Sequence, residues 1–318
     1  MKLCKVINPG LFTTVQDLGR HGFQRYGVPV SGAMDTYAFV AANFLVGNKP
    51  EDACLEMTLL GPRLEFLNES QIAIAGAALL PSINDETVSC WQTLQVDKGD
   101  VLSFSSPQSG CRAYLAVRGG IDVSTVLGSR STYVRGGFGG FQGRQLKARD
   151  VIEAHRPKIL PNSGLLMPYE FVPSYSNKMT IGVVLGPQSD YFTEQGMDTL
   201  LSNVYTITTE SDRMGYRLEG SRVERKSSFE MVSDAIPVGA VQVPPNGKPI
   251  IVMRDAQTTG GYPKIAVVIT SDVSRLGQAK PNDKIRFSKI SPNKAQTKLL
   301  EYMRKLRSMK SKLVETKL

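Results

Sequence analysis

The chain of 318 residues has little of the residue types on which several classes of site depend. It contains two histidines, one tryptophan and four cysteines, and no two of the cysteines form a C-x-x-C pair. Because structural zinc and iron–sulfur centres need clusters of such ligands, no metal site is expected. The four scattered cysteines instead predict reduced thiols in the protein core.

Long apolar stretches are also missing. The longest apolar run, residues 72–80, is far shorter than the roughly 20 residues of a membrane-spanning helix. The N-terminus shows neither the long apolar segment nor the small-residue cleavage site of a signal peptide. Hydrophobic residues make up 41% of the chain and charged residues 21%, a balance typical of globular proteins. We therefore expect a cytoplasmic protein without a membrane partner.

The net charge of +9 is concentrated at the C-terminus, where residues 291–318 hold eight Lys or Arg and two Glu. The rest of the chain is nearly neutral, so no nucleic-acid partner is expected. Ser291 and Pro292 form a helix-start signal, and apolar residues follow at helical spacing: Ala295, Leu299, Met303, Leu306, Met309 and Leu313. The pattern predicts a basic amphipathic helix over 291–318 that packs on the body or on another protein of a complex. A membrane-surface or nucleic-acid role is the less favoured alternative.

Most of the remaining chain has the pattern of short strands separated by Gly, Pro, Asn and Asp turns. Such spacing favours a barrel or a sandwich. The strongest strand candidates are residues 71–75, 91–96, 101–104, 112–117, 181–185, 204–208, 240–243, 249–253 and 265–269. Turn-plus-strand segments at 98–104 and 281–287 resemble each other, which indicates two related β domains. The predicted domains span 1–160 and 179–290, joined by a Pro-rich linker at 161–178.

Two helices are predicted within these domains. One begins after Asp35 as N-cap, carries apolar residues at helical spacing and stops near Gly47. It places residues 31–35 at a helix N-terminus, where an anion is favoured, although Asp35 can equally serve only as the cap. A second helix is predicted to start near Ser189 or Asp190. Trp91 is expected in the core.

Residues 128–144 concentrate six glycines and three arginines. Glycine allows backbone N–H groups to approach a ligand, and arginine matches the geometry of carboxylate and phosphate, so an anion-binding loop is one interpretation. A tight connection with solvated arginines is the other. The spacing fits neither a P-loop nor a G-x-G-x-x-G motif, since Gln142 stands where a third glycine would be needed.

Three further segments mix charged or hydrogen-bonding side chains with glycine: residues 13–21, 211–220 and 255–263. Each has a structural alternative, namely a simple Asp17–Arg20 ion pair in the first and polar turns in the others. The candidate catalytic residues are Asp17, Arg20, Asp35, Arg213, Tyr216 and Gln257. The candidate substrate- or phosphate-binding residues are Ser31, Arg130, Tyr133, Arg135, Gly136, Gly137, Thr258, Thr259 and Tyr262.

Five segments together resemble the biotin-dependent carboxyltransferase family. They are PGLFTTVQDLGR at 9–20, GVPVSGAMD at 27–35, LGSRSTYVRGGFGG at 127–140, SDRMGYRLEG at 211–220 and QTTGGYP at 257–263. This family includes the C-type subunit of bacterial 5-oxoprolinase, also called KipA and formerly allophanate hydrolase subunit 2, and the matching region of urea carboxylase. The resemblance covers nearly the whole chain except the tail.

The resemblance implies a mainly β fold of two cyclophilin-like barrels with few helices, followed by the C-terminal helix. It implies a hetero-oligomer with the KipI-like B-type subunit and the A-type subunit of 5-oxoprolinase, an enzyme that uses ATP to open 5-oxoproline to L-glutamate. No biotin attachment site is expected in this chain. Two other functions stay open: a regulatory protein that binds and antagonises a KipI-like kinase inhibitor, and biotin-linked carboxyl transfer to a urea-like substrate.

Overall fold

The computed structural model describes residues 1–105, 107–156, 163–226 and 231–317. The chain divides into two units. The first unit comprises Met1–Arg20, Ser31–Tyr175 and Arg304–Leu318, and the second comprises His21–Val30 and Ser176–Met303. Residues 161–162 of the expected linker lie outside the described residues, and the boundary between the units falls after Tyr175.

The first unit is built from short strands, as its alternation of apolar residues and turn residues predicts. Its strands are β1 (Lys2–Asn8), β2 (Phe12–Gln16), β3 (Cys54–Thr58), β4 (Arg63–Phe66), β5 (Ser70–Ala78), β6 (Pro81–Ile83), β7 (Glu86–Thr87), β8 (Thr93–Val96), β9 (Val101–Phe104), β10 (Ser109–Val117), β11 (Val151–Glu153), β12 (Ser163–Leu166) and β22 (Val314–Lys317). They form a six-stranded sheet in the order β11-β1-β4-β9-β6-β7, a five-stranded sheet in the order β2-β3-β10-β5-β8, and the pair β12-β22.

The two larger sheets share one apolar core. Buried residues of β1 and β4, including Val6, Leu64 and Phe66, join Ile72 and Ile74 of the interior strand β5. Burial of apolar surface is the main favourable term in folding. The core gives β2 and the loops beyond it a fixed frame.

Helix α1 (Thr36–Leu45) packs its whole circumference inside the protein, since nine of its ten residues are buried. The Asp35 side chain caps it by accepting hydrogen bonds from the backbone N–H groups of Tyr37 (3.0 Å) and Ala38 (3.2 Å). The predicted start, cap and stop of this helix are confirmed, because Gly47 follows one residue after the C-cap Val46 and has a left-handed φ of +71°.

The second unit contains a closed seven-stranded barrel in the order β13-β20-β17-β18-β15-β14-β21. The strands of the second unit are β13 (Lys178–Leu185), β14 (Val204–Ile207), β15 (Gly215–Glu219), β16 (Asp234–Ala235), β17 (Ala240–Gln242), β18 (Ile250–Val252), β19 (Thr259–Gly260), β20 (Lys264–Val268) and β21 (Lys284–Lys289). The barrel closes through the parallel pair β13 and β21, while every other neighbouring pair in it is antiparallel. Strands β16 and β19 form a separate two-stranded ribbon.

The remaining helices are α2 (Glu194–Ser202), α3 (Thr270–Leu276) and α4 (Pro292–Ser311). The predicted helix start at Ser189 or Asp190 is wrong: residues Ser189–Tyr191 form one turn of 3₁₀ helix, and α2 begins after Thr193, whose hydroxyl accepts from Gly196 N–H at 2.9 Å. Helix α4 starts at Pro292 as expected. It ends at Ser311 and does not continue to residue 318, because β22 follows at Val314 and pairs with β12.

The mainly β fold class with few helices and a C-terminal helix is confirmed. Each strand candidate from the sequence overlaps an observed strand, with ends that coincide or differ by at most three residues. Trp91 is 8% exposed, as expected for a core residue, although it lies just before β8 rather than in it. Segment 163–166 of the expected linker forms β12. Among the described residues, no helix is both long and apolar enough to cross a membrane.

Candidate functional site

The glycine- and arginine-rich segment, residues 128–144, is held in place by another residue of the first unit, Asp17, which has a buried carboxylate. Its Oδ1 accepts from Gly19 N–H at 2.7 Å, from the Ser129 hydroxyl at 2.7 Å and from the Ser131 hydroxyl. Its Oδ2 accepts from the backbone N–H of Arg130 at 2.5 Å. Hydrogen bonds to an ionised carboxylate are stronger than neutral ones, so Asp17 holds the start of the segment against the end of β2.

Arg20 lies under the same segment and is 0% exposed. Its Nη2 donates to the carbonyl of Ser131 at 2.6 Å, its Nε donates to the carbonyl of Val126 at 3.4 Å, and its guanidinium lies 4.9 Å from the centre of the Phe138 ring. Gly139 has a φ of +72°, and a Cβ there would lie 2.6 Å from Arg20 Nη2. Only glycine fits at that position.

A small hairpin from Tyr133 to Phe138 forms the exposed tip of the segment. The two residues exchange backbone hydrogen bonds, and their rings pack edge to face with centroids 5.5 Å apart. Arg135, Gly136 and Gly137 are exposed at the turn. A Cβ on Gly136 would lie 2.4 Å from the Tyr133 ring, whereas one on Gly137 would meet open space. The turn therefore presents an arginine beside backbone that has no side chain to shield it.

The three arginines of the segment differ in exposure, and Arg130 and Arg144 are only partly exposed. Arg130 Nε donates to the carbonyl of Val123 at 3.2 Å. Arg144 pairs with Asp150 at 2.7 Å, and this hydrogen bond lowers the pKa of the Asp150 carboxyl. Arg135 is the one arginine of residues 128–144 whose side chain is exposed, so it is the one best placed to meet a ligand from solvent.

The N-terminus of α1 carries the other candidates of the first unit. Because Asp35 caps the helix, a carboxylate already occupies the position that an anionic ligand would take. Its Oδ2 also accepts from the Tyr175 hydroxyl at 3.3 Å. Ser31 is 0% exposed with a φ of +54°, and its hydroxyl has no hydrogen-bond partner among the described residues. Ser31 is thus the candidate here with an uncommitted polar group.

A buried polar chain supports this region from behind. The Tyr114 hydroxyl donates to Glu56 at 2.7 Å and accepts from Asp35 N–H at 2.8 Å, while Met34 N–H donates to Glu56 at 2.8 Å. Burial, followed by the charge of Glu56, raises the pKa of Tyr114 well above its ordinary value. Tyr114 therefore stays protonated and acts as a fixed donor, a role that nothing in its local sequence indicates.

In the second unit, Arg213 and Asp255 form a bidentate ion pair. Nε lies 2.9 Å from Oδ2, Nη2 lies 3.0 Å from Oδ1, and both residues are buried. The pair joins the 211–220 and 255–263 segments, which the sequence alone did not connect. Tyr216 is also buried, and its hydroxyl donates to the carbonyl of Ala279 at 3.4 Å.

The segment 257–263 is a surface ribbon. Thr259 belongs to β19, Thr258 accepts from Ile236 N–H at 2.9 Å through its carbonyl, and Gln257 is exposed. Tyr262 is 45% exposed. The side chains of Gln257, Thr259 and Tyr262 are therefore exposed to solvent, whereas Arg213 is buried.

Lys264, directly after this segment, was not among the candidates from the sequence. It is 2% exposed, and its Nζ donates to Asp234 Oδ2 at 2.5 Å and to the carbonyl of Ala235 at 2.9 Å. The Lys264 hydrogen bond is the main reason that the pKa of Asp234 is lowered. The strand candidate from the sequence, residues 265–269, begins one residue after Lys264, whereas the observed strand β20 includes it.

No group of three or more His, Cys, Asp and Glu side chains within the described residues is arranged to hold a metal ion. The four cysteines are thiols, and three of them, Cys4, Cys54 and Cys111, are buried. Burial raises the pKa of Cys4 to about 12 and that of Cys90 to about 11. These thiols are therefore neutral and poorly nucleophilic at physiological pH.

Two groups of known proteins are similar to this chain. The chain is 39% identical to the C-type subunit of 5-oxoprolinase from Escherichia coli strain K12, over 92% of this chain and 93% of that protein. It is 38% identical to the same subunit from Haemophilus influenzae, over 89% of each. It also resembles solved structures of K. lactis urea amidolyase and Kluyveromyces lactis urea carboxylase, each with a TM-score of 0.91 and 33% identity over 97% of this chain.

The chain spans 20% of that urea amidolyase and 29% of that urea carboxylase, so it matches one part of each larger protein. Residues 26–289 match the family model described as the carboxyltransferase domain, subdomain A and B. This range includes four of the five segments on which the resemblance in sequence rests. The fifth, residues 9–20 with Asp17, lies upstream of the matched range. The chain therefore belongs to the family of proteins with the carboxyltransferase domain, subdomain A and B.

Proposed function

We propose that this chain is the C-type subunit of an ATP-dependent 5-oxoprolinase and works with a KipI-like B-type subunit and an A-type subunit. The complex opens 5-oxo-L-proline to L-glutamate and hydrolyses ATP to ADP and phosphate. The observation that carries the proposal is coverage: the match to the Escherichia coli protein extends over 92% of this chain and 93% of that protein. A shared fold with a fragment of a larger enzyme would leave most of the relative unmatched.

The proposed reaction needs groups that bind anions. A lactam amide is stabilised by resonance, so its carbonyl oxygen is first phosphorylated by ATP with release of ADP. Water then adds to the activated carbon, and the ring C–N bond breaks as the nitrogen takes a proton, which gives the free amine and an acyl phosphate. A second water hydrolyses the acyl phosphate to the carboxylate of glutamate and free phosphate. Both the transferred phosphoryl group and the substrate carboxylate are anionic, and arginines and backbone N–H groups stabilise such charge.

The exposed hairpin tip supports this role in the first unit. Arg135 offers a bidentate donor, and Gly136 and Gly137 leave the neighbouring backbone accessible. Asp17 and Arg20 act through the segment, because they hold its start and its underside in place. The segment lacks the lysine of a P-loop, so we assign to it a carboxylate or a single phosphoryl group rather than a full triphosphate.

A second candidate function is biotin-linked carboxyl transfer to a urea-like substrate. The observation that favours it is the TM-score of 0.91 with Kluyveromyces lactis urea carboxylase, over 97% of this chain. In that case carboxybiotin would be supplied on another protein. The two candidates differ in substrate, and only the first consumes ATP in the step that this complex performs. They can therefore be separated in one series of assays.

The test is coexpression of this chain with its KipI-like neighbour and an A-type subunit, followed by purification of the complex. We expect ADP release that depends on 5-oxo-L-proline, and no carboxylation of urea with carboxybiotin. A stable complex that turns over neither substrate would support the regulatory binding function instead. Carboxylated urea without 5-oxoproline-dependent ADP release would replace the proposal with the second candidate.

A further inference from the structure

Lys264 is a buried cation at the rim of the barrel in the second unit. It is the first residue of β20, next to an irregularity where the register with β17 shifts between Val241 and Gln242. Bulges of this kind turn side chains at barrel rims and often lie beside functional sites. The side chain is 2% exposed.

The Lys264 ammonium forms hydrogen bonds with two acceptors in the described part of the chain. Burial of a charge is costly unless it is paired and hydrogen-bonded. The ammonium has three N–H donors, and the part of the chain that the structure describes supplies two acceptors, Asp234 Oδ2 and the carbonyl of Ala235. Among residues 231–317 and the other described ranges, the third donor has no acceptor, so it can bond to a ligand.

Both acceptors belong to one short surface strand. Strand β16 is held to β19 by two residue pairs, Asp234 with Gly260 and Ala235 with Thr259. Residues 232–235 are all exposed, and Val232 is 87% exposed. Within the described part of the chain, these pairs, the bond from Ile236 N–H to the Thr258 carbonyl at 2.9 Å and the bonds to Lys264 hold residues 231–236, here called the flap, over the lysine. Segments with so little buried surface open at low free-energy cost.

The Asp234 carboxylate sits in a cradle that other parts of the unit provide. Gln188 Nε2 donates to Asp234 Oδ2 at 3.4 Å, beside the Lys264 ammonium. Gln188 is itself held by Lys264 N–H, which donates to its Oε1 at 3.2 Å. Gly186 allows this close approach, since a Cβ there would lie 2.1 Å from the Lys264 carbonyl oxygen. The bond from Lys264 N–H therefore holds Gln188 independently of Asp234.

The two partners of the ion pair differ in what they lose on separation. The Asp234 side chain is 51% exposed, so its carboxylate can return to water. The ammonium of Lys264 is buried and needs another anion. We propose that Lys264 and Gln188 form a binding site for a small organic carboxylate, which Asp234 occupies until the flap lifts and the ligand replaces it. The identity of the ligand rests on the proposed function, in which it is the carboxylate of 5-oxo-L-proline.

The test measures binding of 5-oxo-L-proline to the purified full chain by isothermal titration calorimetry, without ATP or the other two subunits. Asp234→Asn removes the internal competitor, so we expect affinity to rise about tenfold, as when a larger fraction of the protein is competent to bind. Lys264→Met removes the charged donor and should weaken binding at least about tenfold. The carboxamide of 5-oxo-L-proline lacks the carboxylate, so it should bind measurably neither to the wild-type chain nor to Asp234→Asn.

Glu219→Gln is the matched control. Glu219 pairs with Lys248 at 2.7 Å on the surface of the same unit, so the variant changes the charge equally but should leave affinity unchanged. Unchanged or weaker binding by Asp234→Asn, or equal binding of the carboxamide, would overturn the proposal even if Lys264→Met fails to fold. If acetate binds and tightens in Asp234→Asn while 5-oxo-L-proline does not bind, the carboxylate site stands and the assigned substrate is wrong.

Discussion

Replacement of Asp17 by Asn tests whether this side chain organises the glycine- and arginine-rich segment. The carboxylate accepts four hydrogen bonds: Oδ1 takes those of Gly19, Ser129 and Ser131, and Oδ2 takes that of Arg130 N–H. Asparagine has one accepting oxygen. The asparagine side chain loses fewest hydrogen bonds when its amide nitrogen takes the position of Oδ2 and its oxygen that of Oδ1. The amide N–H group then faces the Arg130 N–H group, and this one hydrogen bond is lost because both groups are donors.

The expected destabilisation follows from this count. Loss of one hydrogen bond to a charged acceptor costs about 1.5–3 kcal/mol, and the other three weaken because their acceptor becomes neutral. We expect about 3 kcal/mol in the free energy of unfolding of the first unit. For a urea m-value of about 2–3 kcal/mol/M, this lowers the midpoint by about 1–1.5 M.

Trp91 provides the assay, because it is the only tryptophan and is buried in the same unit. Urea unfolding followed by its fluorescence should show the shift for Asp17→Asn. Asp150→Asn is the matched control: it is partly exposed and pairs with Arg144, and its loss should cost about 1 kcal/mol or less. A midpoint for Asp17→Asn that equals that of the control would refute the anchoring role.

Arg135→Ala should reduce turnover of the assembled complex at least about tenfold through loss of a charge-assisted contact to substrate. The unfolding midpoint followed by Trp91 fluorescence should not change, because the Arg135 side chain is exposed. Normal kinetics in the variant would contradict a role of Arg135 in substrate binding. Asp255→Asn should destabilise the second unit by about 3 kcal/mol in thermal unfolding, since it leaves Arg213 buried beside a neutral partner; a loss below about 1 kcal/mol would contradict this. Arg144 lowers the pKa of Asp150 below 3.8, so their pair stabilises fully above that pH and loses its effect as pH falls through the folded pKa. Arg144→Met should therefore flatten the acid side of the stability profile, and an unchanged profile would count against the pair.

Local patterns identified the elements whose ends are set by local chemistry. Helix α1 was predictable from the Asp35 cap to Gly47, and the start of α4 from Ser291 and Pro292. The start of α2 was misplaced because the sequence does not distinguish a 3₁₀ turn at 189–191 from the first turn of a helix. Strand β22 was missed because its partner, β12, lies about 150 residues away, and such pairing leaves no local signal.

The candidate site was predictable as a set of segments but not as a set of contacts. The composition of residues 128–144 leaves an anion-binding loop and a tight connection as alternatives, and the structure places Asp17 and Arg20 against the segment. Ser129 and Ser131 were overlooked because a serine in a glycine-rich stretch has no distinctive spacing. Lys264 was overlooked because its buried position depends on the register of the barrel and on the flap that covers it.

The most direct test of the central claim is the yield of L-glutamate per ADP in the purified three-subunit complex, compared with the same preparation without this chain. The account predicts one glutamate for each ADP released from ATP when 5-oxo-L-proline and all three subunits are present. It also predicts loss of both products when this chain is omitted. The same yield with and without the chain would contradict its assignment as a required subunit.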